Sequence, residues 1–466
     1  MSTHTGTLTW TMIPSKTIIL DPSHQAHSLD ALSIPSPSLH DAANWATLYP
    51  ELIYEILTYC LSGVTLSTCA PWSFPWYLGH ICQSWRSVFV SSPRFWDHFS
   101  FGSHRLEKTN LLQRALALVE LCIERTKEHP FSFKFMDAPH AEVSFSFQIL
   151  ETLVAHADRW RAACLRGHED YINESLTKAK GRLGQLNSLQ ISHFWRSSSS
   201  NDTNPRTPSD IFQDAPNLTR VWARDYYQLP WSALVVLHVD EPHSASRFFE
   251  NLDKMTCLEE LVISGFHVHH NVANTSPIEL PSLQKLSVNN FPPGLHIKTP
   301  ALERLYLGSA LRAGLHTAIT LLRGVSHLKT LSFDVGHVHD ARVMEWALEL
   351  DHLILSCDNY TPIEAFKSLL QSPASHSTLY SLRRISIGIR DLKAGPSIWI
   401  MHTLWTVLKS WGKDQFPKLR SVSVYVKDER NEGIASAIAD LMRVGVDKGV
   451  EIDVNFSLLP TRLPFW

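Results

Sequence analysis

Three hexapeptides, LEELVI (258–263), LQKLSV (283–288) and LERLYL (302–307), decide how this chain folds. Each reads Leu-x-x-Leu-x-apolar. In an extended segment successive side chains point to opposite faces, so the second leucine and the apolar residue two places on share one face. The first leucine closes the turn that leads into the strand. A unit of this size has one apolar face and too little chain to bury it, so units must stack on one another.

Working outward, the pattern recurs along the chain. LNSLQI starts at Leu186, LTRVWA at Leu218 and LVVLHV at Leu234, ahead of the three hexapeptides above. LKTLSF follows at Leu328, LDHLIL at Leu350, LRRISI at Leu382 and LRSVSV at Leu419. Several are preceded by Pro-x, as in APNL, LPSL, TPAL and FPKL. This is leucine-rich-repeat texture. Intervals run from 16 residues (Leu218 to Leu234) to 37 (Leu382 to Leu419), where regular arrays keep to about 20–29. The expected architecture over 130–466 is therefore an irregular leucine-rich-repeat-like α/β solenoid. A mixed α/β domain whose strands share a leucine pattern is the plainer alternative. FSFKF (131–135), WRAACLRG (160–167) and VEIDVNF (450–456) alternate as further strands, and the polar stretch RSSSSNDTNPRTPSD (196–210) reads as an inserted loop.

Upstream the texture differs. Residues 1–43 are rich in Ser, Thr, Pro and His and read as a flexible tail. Residues 44–101 read as a small helical domain and 102–129 as a linker helix. In LYPELIYEILTYCL, Leu52, Ile53, Ile56, Leu57, Cys60 and Leu61 recur at helical spacing, and Pro50 suits the first helical position. A second helix is expected from about Trp76, with Leu78, Ile81, Cys82, Trp85, Val88 and Phe89 as one continuous stripe. The SSP break at 91–93 restarts the chain into Phe95, Trp96 and Phe99. That apolar load is heavy for three short helices, and a contiguous exposed apolar patch implies a partner.

The chain has 466 residues and a net charge of -3, from 42 basic and 45 acidic side chains. No global field favours nucleic acid or an anionic membrane. Its seven cysteines are scattered and never form a C-x-x-C pair, which fits a reducing compartment. With neither a signal-peptide pattern nor an apolar run of about 20 residues, a soluble protein of the cytoplasm or nucleus is expected.

No catalytic or phosphate-binding signature is present: no G-x-S-x-G, G-x-x-x-x-G-K-[ST], G-x-G-x-x-G or H-E-x-x-H. No enzyme, cofactor or metal is expected. Two histidine clusters, HVHH (267–270) and HVHD (337–340), stand three repeat units apart. At about 4.8 Å per strand that is about 14 Å, too far to share one zinc, whose bonds to nitrogen are about 2.0–2.1 Å. Solvated loop histidines are the expected reading. The repeat strands offer a different surface. Arg220, Trp222, Arg224, His238, Glu260, Lys285, Arg304, Tyr306, His352 and Arg384 flank the inward positions and should share the opposite sheet face. Charged and aromatic side chains on a rigid sheet suit a protein partner, although an ordinary solvated face has the same composition.

The run LYPELIYEIL, followed by HICQSWRSVFVSSPRFW, resembles the F-box of fungal F-box proteins of the mushroom type. There a Leu-Pro-x-Glu-Leu start precedes Ile-Leu, then Val-Cys-x-x-Trp-Arg and Pro-x-Leu-Trp. CIERTKEHPFSFKF (122–135) and LVAHADRWRAACL (153–165) are similar to that family's lead-in to its repeats. Tyr49 departs from the family at a common proline, and Phe95 at a common leucine. The resemblance implies a three-helix F-box in front of the repeats. The F-box would dock on the Skp-type adaptor of a cullin–RING ubiquitin ligase, and the repeats would hold a protein substrate. By match to the motif, Leu48, Pro50, Glu51, Leu52, Ile53, Ile56 and Leu57 would contact the adaptor, with Ile81, Cys82, Trp85 and Trp96 supporting or extending the interface. Arg220, Trp222, Arg224, Glu260, Lys285, Arg304 and Tyr306 are the substrate-binding candidates. An F-box scaffold that recruits no cullin is the alternative.

Overall fold

A computed structural model describes residues 48–70, 75–102, 109–137, 143–193, 209–223, 227–240, 245–264, 277–289, 295–308, 311–335, 349–357, 381–389, 394–410, 418–426 and 432–455. The chain is α/β, and its described residues divide into two compact units, one up to Phe133 and one from Lys134 onward.

In the first unit, α1 (Pro50–Leu61) begins after Tyr49, which is still extended (φ -63°, ψ 143°). Pro50 takes the first helical position, where a missing N–H costs no bond. Ser62 leaves the helix and Gly63 turns the chain at φ 74°, a value that favours glycine. Strand β1 (Leu66–Ser67) pairs in parallel with β2 (His98–Gly102), Leu66 opposite Phe99. Between them lie a 3-10 turn (Trp76–His80), α2 (Gln83–Ser91) and a second 3-10 turn (Pro93–Phe95). Helix α3 (Thr109–Thr126) follows and buries Leu112, Ala115, Val119, Cys122 and Ile123 at helical spacing.

The expected continuous helix from Trp76 is divided. Cys82 is fully extended (φ -160°, ψ 174°) and α2 starts only at Gln83. The stripe is broken accordingly: Leu78, Trp85 and Phe89 are buried, whereas Ile81 is 47% exposed. Aromatic rings fill the middle of this unit. Phe89 lies 5.1 Å from Trp96 and 6.1 Å, stacked, from Phe95, and Trp76 meets Trp96 edge-on at 5.7 Å. Both indole N–H groups are satisfied, Trp96 donating to the Phe89 carbonyl (2.9 Å) and Trp76 to that of Ser67 (2.8 Å). The Arg125 guanidinium covers Trp96 at 5.3 Å and donates to the Val90 carbonyl at 3.1 Å. Each such ring pair adds about 0.5–1.5 kcal/mol beyond area burial.

Strand β3 (Phe131–Met136) contains the division between the units. Helix α4 (Val143–Ala155) precedes β4 (Trp160–Gly167), and α5 (Glu169–Thr177) follows it. The second unit is then a parallel sheet whose strands neighbour one another in chain order. These are β4, β5 (Ser188–His193), β6 (Arg220–Ala223), β7 (Val236–Val239), β8 (Glu260–Ile263), β10 (Lys285–Val288) and β12 (Arg304–Leu307), followed by β13 (Thr330–Asp334), β14 (His352–Cys357), β15 (Arg384–Ile389), β16 (Ser421–Val426) and β17 (Glu451–Asn455). All ten Leu-x-x-Leu-x-apolar units form a strand of this sheet. The register aligns their second apolar residues in one row: Leu189, Val221, Leu237, Leu261, Leu286, Leu305, Leu331, Leu353, Ile385 and Val422. Every member of that row is buried, as is every first leucine from Leu186 to Leu419. At about 1.5–3 kcal/mol for each fully buried aliphatic side chain, these rows dominate the unit's stability.

The uneven intervals have a local cause, because the returning segments differ. Leu218 to Leu234 returns through a 3-10 turn (Trp231–Ala233), and Leu234 to Leu258 through α6 (Ala245–Leu252). In the next two returns the described residues include β9 (Ile278–Glu279) and β11 (Ile297–Lys298), which pair in a separate two-stranded parallel sheet. Leu302 to Leu328 uses α7 (Leu311–Arg323), Leu382 to Leu419 uses α8 (Ala394–Ser410), and α9 (Glu432–Lys448) leads into β17. Helix α9 touches β17 closely. A Cβ on Gly445 would sit 2.2 Å from Ile452 Cγ1 and 2.8 Å from the Val450 carbonyl oxygen.

Candidate functional site

Two surfaces stand out, one in each unit. The first is a stripe on α1. At about 100° per residue, Tyr49, Leu52, Ile56, Tyr59 and Cys60 fall within roughly a third of a turn of one another. Ile53 and Leu57, beside that stripe, are fully buried and anchor the helix. The stripe faces outward: Leu52 is 51% exposed and Tyr59 87%, Tyr49 and Cys60 are also exposed, and Ile56 is half-buried. Pro50 and Glu51 are exposed and Leu48 is half-buried. Tyr77, within the 3-10 turn, and Ile81, just after it, add exposed apolar surface.

This geometry sorts the motif-matched residues. Leu48, Pro50, Glu51, Leu52, Ile56, Ile81 and Cys82 retain accessible surface, whereas Ile53, Leu57, Trp85 and Trp96 are interior. Ile53 and Leu57, which the motif match put in contact with the adaptor, are therefore corrected to a role in the core, and Trp85 and Trp96, expected to support or extend the interface, are core residues of this unit. Ile81, expected to support or extend the interface, is exposed. Tyr59 went unnoticed in the motif reading, although it continues the Leu52–Ile56 spacing by three residues.

The second surface is the sheet face opposite the leucine row. The register places Arg220, Val236, Glu260, Lys285, Arg304, Thr330, His352 and Arg384 side by side on successive strands. Two residues on, Trp222, His238, Val262, Ser287 and Tyr306 form a second outward row. Arg224 and both histidine clusters lie outside the described residues. Among the described residues no group of three or more His, Cys, Asp or Glu is arranged to hold a metal ion, and no helix is long and apolar enough to cross a membrane.

The candidates are brought together as a chain of contacts. Trp222 meets the His238 ring edge-on at 4.7 Å. His238 Nε2 lies 3.3 Å from Glu260 Oε1, and Lys285 Nζ donates to Glu260 Oε2 at 3.1 Å. Burial pushes the Glu260 carboxyl up, but the hydrogen bond from His238, the Lys285 charge and the Lys285 hydrogen bond together hold it below its ordinary value. Burial raises the Tyr306 phenol, with Arg304 opposing and Glu260 adding to the rise. Motif reasoning left His238 out of the substrate-binding set. Its signal was the register, which places it diagonally from Glu260 on the neighbouring strand.

Further along, His352 Nε2 lies 2.8 Å from Ser386 Oγ, and Arg384 pairs with Asp351 at 3.0 Å. Burial, and after it the Arg384 charge, lower the His352 imidazole to about 4, with Asp351 working against both. The ring is neutral at pH 7. At the other end, burial raises the Cys164 thiol to about 11, against the lowering pull of Lys134 and Arg166. That cysteine is a protonated sheet residue and no nucleophile. Among the described residues this face is polar, with a cationic balance in its first half. No family model matches the chain, and no curated protein matches it.

Proposed function

We propose that this chain is the substrate-recognition subunit of a Skp–cullin–F-box ubiquitin ligase, with the α1 stripe docking on the Skp-type adaptor and the outward sheet face holding a protein substrate. The observation that carries this reading is the exposed apolar stripe Tyr49–Leu52–Ile56–Tyr59 on a helix anchored along the adjoining flank by the buried Ile53 and Leu57. A folded helix that keeps such a stripe in water has surface to bury against a partner. The resemblance of LYPELIYEIL and HICQSWRSVFVSSPRFW to the F-box names the partner's kind.

The protein would do no chemistry of its own. Its mechanism is tethering: one surface fixes the ligase and another the substrate, so transfer of ubiquitin to a substrate lysine proceeds at a high effective concentration. Affinity purification of the intact chain should bring down a Skp-type adaptor and a cullin. Pro50→Ala combined with Leu52→Ala should abolish that capture while leaving the thermal unfolding profile in place. Undiminished capture by the double variant sinks the docking assignment, and adaptor without cullin would indicate a scaffold.

A further inference from the structure

We infer that the outward sheet face from β4 to β12 takes an extended acidic peptide segment of its protein partner, laid across the strands. The inference rests on reading this face as the partner-binding surface and adds the chemistry of what binds there. The chain carries a net charge of -3, yet the strand residues of this stretch carry the opposite balance. Arg166, Arg220, Lys285 and Arg304 stand at outward positions, and the one carboxylate among the residues of the large sheet's strands β4 to β8, β10 and β12 is Glu260; Glu279 belongs to β9 of the separate two-stranded sheet. Glu260 is already engaged by His238 and Lys285, and its side chain is largely buried. Arg304 and Arg166 are exposed and Arg220 half-exposed.

The spacing fits a peptide. Arg220 and Arg304 share one register row four strands apart, about 19 Å at about 4.8 Å per strand. A fully extended peptide of six residues spans about the same distance at roughly 3.3 Å per residue. Carboxylates near its two ends would reach the two guanidiniums, which grip carboxylates in bidentate fashion. The half-buried Trp222 and Tyr306 give the crossing chain apolar footing between those ends. A single-stranded nucleic acid fits less well. It needs a run of open aromatic faces for its bases, and the Trp222 ring is already met by His238.

The test uses the full chain without adaptor, so failure of F-box docking leaves it untouched. Fluorescein-labelled octaglutamate is titrated with the protein by fluorescence anisotropy at low and physiological salt, beside octalysine and an eight-residue oligothymidylate. Octaglutamate should bind, octalysine should not, and raising the salt should weaken the complex. Arg220→Glu with Arg304→Glu should loosen it by about tenfold or more, and Arg220→Gln with Arg304→Gln by less, with unchanged far-ultraviolet circular dichroism. Octaglutamate binding that is absent or equal in the reversed variant overturns the inference. So does tighter binding of the oligothymidylate.

Discussion

His238 on β7 and Glu260 on β8 are diagonal neighbours whose side chains meet at 3.3 Å, while the second oxygen of Glu260 is held by Lys285. One carboxylate thus joins three strands on a face that would otherwise be solvated. Removing one partner of such a group leaves the others without their hydrogen bonds, a cost of about 1–3 kcal/mol. Glu260→Gln should lower the midpoint of urea unfolding at pH 7 without changing the slope. The carboxyl is held below its ordinary value, so its contribution is complete above the unfolded-state pKa and is lost as pH falls through the lower, folded-state one. The variant should therefore lose less stability than the parent below about pH 4.5 (the region of the unfolded carboxylate). Identical acid limbs would rule out this role for Glu260.

His352 acts in a different window. Its folded-state value is about 4, against about 6.5 in an unfolded chain. The unfolded state therefore binds the extra proton first, and stability should decline as pH falls from about 6.5 towards 4. Above that window the contribution is complete. His352→Asn should flatten the stability profile there while leaving it unchanged above pH 7. A slope retained in the variant would assign the effect to another group.

Trp85 and Leu52 separate folding from docking. Trp85 is 5% exposed, so Trp85→Ala should cost about 3–5 kcal/mol of stability. Leu52→Ala and Tyr59→Ala remove exposed groups and should stay within about 0.5 kcal/mol of the parent, while weakening adaptor capture. Thermal unfolding and capture measured on the same three variants check this; equal loss of stability in all three contradicts the placement of the stripe.

Gly445→Ala tests the packing of α9 on β17. The added methyl group would meet Ile452 at 2.2 Å, far inside any tolerated contact. Relief by shifting the strand or the ring of contacts around it should cost about 1–3 kcal/mol. Combining it with Ile452→Val, which thins that neighbour, should restore part of the loss. A fully additive double variant would place the strain elsewhere.

How much of this was legible in the sequence depends on what each residue competes with. The ten leucine units were readable because a period of two and a buried row leave little alternative, and every one became a strand in a single register. Strands β1, β9 and β11 are two residues long, too short to alternate visibly. The break at Cys82 left no compositional mark, since the helical spacing of apolar residues runs straight through it. What breaks the helix is the extended backbone of Cys82, a conformation that any residue can adopt. On α1 the wheel was correct, yet the motif match drew the buried Ile53 and Leu57 into the contact set alongside the exposed Leu52. A motif records which residues recur and is silent on which side of a helix each one serves.

The unequal returns carry a practical consequence. The leucine row holds its alignment whether the chain comes back through a 3-10 turn at Trp231–Ala233 or through the seventeen residues of Ala394–Ser410. Length is thus absorbed on the return side and never transmitted to the strands. A reporter domain or affinity handle spliced into a return should leave the outward sheet face undisturbed, whereas one residue inserted within a strand would turn the inside of that strand out. The array is, in this sense, a fixed panel on exchangeable mountings.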